Sequence, residues 1–142
     1  MQKFDKRYFK LKEWAGDKYI NGVYAETTQH PDLMLELKAN GELHPFSVEC
    51  KWKRYSKTND IQFCSKDQFK RYKEFEANKN LPVFIALGIG GKGISPDNIY
   101  VVPLRFLNSN IMPTKTLDKF KRDLDKDFYY NVDNRYINSS RK

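Results

Sequence analysis

The 142-residue sequence has no apolar run near the ~20 residues a helix needs to span a bilayer, and no signal-like N-terminal segment. No membrane role is therefore expected, and a reducing cytoplasm is the expected compartment. Cysteine is scarce. Cys50 and Cys64 offer neither a disulfide framework nor a second cysteine at metal-site spacing, so both read as small, partly buried apolar side chains. The two histidines, His30 and His44, do not specify a zinc site and read as surface or locally hydrogen-bonded residues. No internal repeat or linker divides the chain. The apolar fraction is modest at 39%, but aromatic residues make up 15% and supply large buried area per side chain, which argues against disorder.

Positive charge is what the sequence has in excess. Twenty-six lysines and arginines face 18 acidic residues, a formal net charge of +8. Such a surface gathers polyanions, because basic side chains attract phosphate chains and displace their counterions. The length suits one domain, here residues 1–136, followed by a basic tail at 137–142 expected to fray.

Along the chain, residues 1–14 read as a short helix or turn followed by an extended piece, and YINGVY (Tyr19 to Tyr24) as a tight hairpin or a loop. From Asp32 to Leu37 the residues alternate as in a strand with one apolar face. Asn40-Gly41 turns the chain, which returns as Phe46 to Trp52, with Phe46, Val48, Cys50 and Trp52 on one face and Ser47, Glu49, Lys51 and Lys53 on the other. Trp52 thus reads as a core residue. After a polar loop, Ser65 and Gln68 have capping-box spacing, and Phe69, Tyr72 and Phe75 recur at helical intervals. Pro82 stops that helix; Val83 to Leu87 is the best buried strand, and Asn98 to Val102 the next. A last helix is expected from Thr116 toward Asp127, with Leu117, Phe120, Leu124 and Phe128 as its apolar stripe.

Two facing strands can bring the carboxylates of Asp32 and Glu49 together, with Lys51 on the face of Glu49. Hard divalent cations prefer carboxylate oxygens, and a lysine beside them can orient or deprotonate a water and oppose phosphate charge. The same spacing also occurs on solvated strand faces, where such pairs contribute little. The core-like VECKW context weighs against that reading, since a charged pair there must line a cleft or a costly interior.

Pro31-Asp32, then Glu49-Cys50-Lys51 after a hairpin turn, then Gln68 and Tyr72 in QFKRY, resemble the PD-(D/E)XK nuclease superfamily over about Pro31 to Val102. The resemblance implies an α/β fold, a restriction-endonuclease-like mixed β-sheet flanked by helices. It implies Mg²⁺ or Mn²⁺ held by Asp32, Glu49 and the Cys50 carbonyl, with Lys51 serving the hydrolytic water. It further implies that Gln68 orients water or phosphate and that Tyr72 supports the lysine. Taken alone, Gln68 reads equally as a cap and Tyr72 as a core aromatic. Members commonly carry an earlier helix with an acidic residue, which the first thirty residues do not display. Glu26 is the candidate among Asp5, Glu13, Asp17 and Glu26, and the missing helix leaves a partner subunit or an excised domain as readings.

Lys53, Arg54 and Lys57, with Lys70, Arg71 and Lys73 on the next helix, make the expected phosphate-binding surface. GIGGKG (Gly88 to Gly93) matches a dinucleotide-binding spacing but leads into a turn, so it reads as a connection between strands. The expected function is metal-dependent hydrolysis of DNA phosphodiesters, most readily as an endonuclease, with RNA left open as substrate and a homodimer or larger nuclease complex as an attractive assembly. The alternative is a noncatalytic nucleic-acid-binding or assembly domain on the same fold.

Overall fold

The computed structural model describes residues 9–14, 19–20, 23–24, 33–39, 41–54, 60–91, 96–123 and 125–139. The main sheet begins with β1 (Phe9–Trp14), which pairs antiparallel with β4 (Leu33–Ala39). Between them β2 (Tyr19–Ile20) and β3 (Val23–Tyr24) pair with each other. β4 returns as β5 (Glu42–Lys53), with Leu33 opposite Val48 and Ala39 opposite Glu42. Gly41 makes this turn at φ +77°, where a side chain would be strained.

After β6 (Asp60–Gln62), helix α1 (Lys66–Lys79) carries the chain to β7 (Val83–Ile89), which lies parallel to β5. The helix starts where the sequence places it. Gln68 N donates to Ser65 Oγ at 3.1 Å, and Ser65 N donates to Gln68 Oε1 at 3.2 Å, so two otherwise unpaired donors of the first turn are satisfied. At its far end Asn80 closes α1 in the left-handed region at φ 51°, and Ser47 N donates to the Pro82 carbonyl at 2.9 Å as the parallel ladder begins. Glu76 accepts from Val83 N at 2.9 Å, tying the helix to the strand it feeds.

β7 turns antiparallel into β8 (Asn98–Pro103), then a 3-10 turn at Leu104–Phe106, β9 (Ile111–Pro113) and α2 (Thr114–Lys119) follow. β9 pairs with β6. β10 (Lys121–Arg122) adds to the edge of β8, giving the mixed six-stranded order β1-β4-β5-β7-β8-β10. Gly90 and Gly91, both at positive φ, carry the chain out of β7. GIGGKG therefore starts in the connection between two antiparallel strands, and its Lys92 and Gly93 lie outside the described residues.

The sheet is buried on both sides. Val83, Ile85, Leu87 and Ile89 face α1 with Phe63, Tyr72, Phe75, Leu104, Met112, Leu117 and Phe120. On the other face Leu33, Leu35, Leu37, Phe46, Val48, Phe84 and Val101 are covered by β11 (Phe128–Asn131) and β12 (Tyr136–Ser139), an antiparallel pair that contributes Phe128, Tyr130 and Ile137. The Tyr130 ring packs 4.7 Å from Phe46 and 5.8 Å from Phe84, centroid to centroid. Full burial of a side chain such as Phe46 or Phe84 contributes about 1.5–3 kcal/mol. The expected mixed α/β sheet is present, and among the described residues a β-hairpin packs over this second face.

Three expectations are corrected. The last helix is only α2, ending at Lys119, because its apolar stripe serves two cores on opposite faces. Leu117 and Phe120 pack beneath α1 while Phe128 packs across the sheet, and Lys121 and Arg122 take up the open edge of β8. Beyond Tyr136, where the polar sequence suggested fraying, β12 continues to Ser139 and Ile137 is buried at 1% exposure. Cys50 and Trp52 are exposed, not core: β5 outruns the β11–β12 cover after Val48.

Candidate active site on strand β5

Strand alternation sorts β5 into two faces, and the parallel register decides which is which. Ser47, Glu49, Lys51 and Lys53 stand beside Val83, Ile85, Leu87 and Ile89, so they share the α1 side of the sheet. Glu49 is buried to 2% exposure, and Lys51 Nζ lies 3.6 Å from its Oε1. The same ammonium stands 5.9 Å from the centre of the buried Tyr72 ring, which α1 projects over the strand. Three of the expected residues, Glu49, Lys51 and Tyr72, are therefore gathered by two elements.

Gln68 sits one turn before Tyr72, but its Oε1 is taken by the N-cap, leaving the amide nitrogen as its remaining donor. Ser47 is the polar residue the sequence reading passed over. It is fully buried two positions before Glu49 on the same face, and its hydroxyl has no hydrogen-bond partner among the described residues. The available signal was the Ser-x-Glu-x-Lys parity within a core strand.

Cys64 reports the electrostatics of the neighbourhood. Burial pushes its thiol up to about 11; Lys51, Lys53 and Arg71 pull the other way, while Glu49 adds to the rise. Lys51, Glu49, Lys53 and Arg71 thus all act electrostatically on the start of α1. Asn110 fixes this corner, donating from Nδ2 to the Cys64 carbonyl at 2.9 Å and accepting from Phe63 N at 3.1 Å.

The remaining basic residues divide. Arg54 and Lys70 are exposed, and Lys53 and Arg71 are half-buried. Lys73 donates to the Leu104 carbonyl at 2.9 Å and lies 5.4 Å from the Phe69 ring centre, so a phosphate would have to compete with an existing bond. His44 pairs loosely with Glu42 at 3.9 Å, five residues up β5 from Glu49. Asp32, Glu26 and Lys57 lie outside the described residues, as does His30. Among the described residues no group of three His, Cys, Asp or Glu side chains stands ready for a metal, and no helix is long and apolar enough to cross a membrane. Glu49 is the carboxylate the described centre offers a hard cation: a buried oxygen donor already beside positive charge.

No family model and no curated protein matches the chain. Among solved structures it is similar to Hjc, a Holliday junction resolvase from the archaeal hyperthermophile Archaeoglobus fulgidus, with 14% identity and a TM-score of 0.47 over 72% of this chain and 77% of that one.

Proposed function

We propose that the chain is a divalent-metal-dependent nuclease of the PD-(D/E)XK type, with a restriction-endonuclease-like fold, that hydrolyses DNA phosphodiesters. The observation that carries this reading is the buried Glu49 carboxylate held 3.6 Å from Lys51 on a core strand, a placement a purely structural role would not require. Asp32 enters by connectivity. It directly precedes Leu33, which pairs with Val48, the residue before Glu49.

In this reading Asp32, Glu49 and the Cys50 carbonyl hold Mg²⁺ or Mn²⁺, with Glu26 as a further oxygen ligand. The bound cation would neutralise charge developing on the phosphate. Lys51 positions the attacking water and opposes the negative charge of the scissile group. Tyr72 keeps the lysine in place with its ring, and Gln68 uses its free amide nitrogen toward the phosphate. Arg54, Lys70 and Arg71, with Lys53, hold the flanking backbone, and affinity falls as salt rises. A homodimer would supply one centre per strand of a duplex, and a reducing cytoplasm suits two cysteines that form no disulfide framework.

The test is cleavage of linear, supercoiled, single-stranded and branched DNA with Mg²⁺ or Mn²⁺ against EDTA, beside Glu49→Ala and Lys51→Ala. Metal-dependent products that fall at least about 100-fold in both variants support the assignment. Cleavage by Glu49→Ala at the unmodified rate under saturating metal overturns it. A folded chain that binds DNA in EDTA and cuts nothing points to the noncatalytic binding module.

A further inference from the structure

Trp52 follows Lys51 on β5, and strand alternation sends its indole to the opposite face of the sheet. There it is 36% exposed. The ring is nevertheless held. Its Nε1 donates to the Gly90 carbonyl at 2.9 Å, and Gly88 leaves room beside it: a Cβ at Gly88 would stand 2.9 Å from Pro96 Cβ and 3.6 Å from Trp52 Cδ1. Gly90 N in turn donates to the Lys53 carbonyl at 3.0 Å, so the β7 exit and the end of β5 are locked together. The polar edge of the indole is satisfied inside the protein. Because Nε1 is already bonded, covering the exposed part of the ring costs no hydrogen bond.

We propose that Trp52 is a stacking platform for an unpaired base of the strand whose phosphate lies at Glu49 and Lys51, so that the substrate class is DNA unpaired near the cut. This rests on the nuclease reading above. Lys51 and Trp52 are consecutive on β5 with side chains on opposite faces of the sheet, and β5 ends one residue later at Lys53. A phosphodiester chain that rounds the end of β5 would pass from the lysine face to the indole face, and Arg54 is exposed at that end. A base within a continuous duplex has both faces against its neighbours and cannot lie on the indole. A base in a single strand, flap or junction can, and every base presents a π face, so the contact selects for unpaired structure over sequence.

The test uses the whole chain in EDTA, which separates binding from cleavage. Fluorescein-labelled oligothymidine and a hairpin duplex of equal length are titrated by anisotropy against the natural protein, Trp52→Leu and Trp52→Phe. Trp52→Leu is expected to bind the single strand about 10-fold more weakly with duplex binding unchanged, and Trp52→Phe, which keeps a ring, to retain most of the affinity. In a Trp14→Phe background, indole fluorescence is expected to be quenched by the single strand and not by the duplex. Should Trp52→Leu unfold, this quenching decides. Equal single-strand affinity in folded Trp52→Leu, or equal quenching by duplex, overturns the proposal. If that happens while Glu49→Ala still abolishes cleavage, the stacking platform alone has failed. If Glu49→Ala cuts normally, the nuclease reading has failed whatever Trp52 does.

Discussion

The Lys51 ammonium lies 3.6 Å from the Glu49 carboxylate, but the two differ in access to water: the Lys51 side chain is 19% exposed and that of Glu49 only 2%. The lysine is the solvated partner of a charge that is not. Replacing Lys51 by methionine therefore removes the nearer compensation for a buried carboxylate. The expected loss is about 1–3 kcal/mol, below that of a fully buried pair because water reaches the lysine. Urea unfolding at pH 7 measures it. Part of the loss should be recovered in Lys51→Met with Glu49→Gln, where no charge remains to compensate.

The two thiols should separate by reactivity. Cys50 is exposed and Cys64 buried, and burial raises the Cys64 thiol from an ordinary 9.0 to about 11. At pH 8 an alkylating reagent is expected to add once, at Cys50, with Cys64 modified only after denaturation; mass spectrometry of the adducts reads this. The raised value also sets a pH dependence. The folded state holds the Cys64 proton more tightly than the unfolded chain, so this contribution to stability is full below pH 9 and is lost as pH rises toward 11. Cys64→Ala should lose less stability than the natural chain between pH 8 and 10.5.

Ser65 and Gln68 stabilise the start of α1 through reciprocal bonds. Ser65→Ala is expected to cost about 1 kcal/mol, seen as a lower denaturation midpoint. The same variant separates the two roles of Gln68. If Gln68→Ala lowers stability alone, its function is the cap; a loss of cleavage beyond that of Ser65→Ala assigns it to the site.

Ile137 tests the C-terminal hairpin. It is buried against the face that carries Phe46 and Phe84, so Ile137→Ala should cost about 2–5 kcal/mol, measured by urea or thermal unfolding. A frayed residue would tolerate that change with no effect.

Where a single local pattern served a single neighbour, the sequence could be read directly. The β4–β5 hairpin, the capping box and the Val83 strand each rest on contacts a few residues apart or on a continuous apolar run. The parity of Glu49 and Lys51 was visible for the same reason. What could not be read was which surface an element would meet. Leu117, Phe120 and Phe128 share helical spacing but pack on opposite sides of the sheet, and only the tertiary arrangement separates them. Trp52 keeps the parity of Val48 and yet lies past the end of the hairpin that covers Val48. Gln68 fits a cap and a site equally well in sequence, and its observed bond to Ser65 fills one of those roles.

The closure of the second sheet face by residues 128–139 sets an order of events during synthesis. β5, which carries Glu49 and Lys51, is made some time before the hairpin that packs on Phe46 and Val48. At roughly 5–20 residues per second, that interval lasts seconds on the ribosome. Through it Phe46 and Val48 on β5, and later Phe84 on β7, lack the cover that Phe128, Tyr130 and Ile137 provide, which leaves an apolar sheet face exposed to aggregation. The apolar face beneath Phe46 and Val48 is closed only once Tyr130 and Ile137 have emerged, so this half of the core is among the later parts of the fold to form.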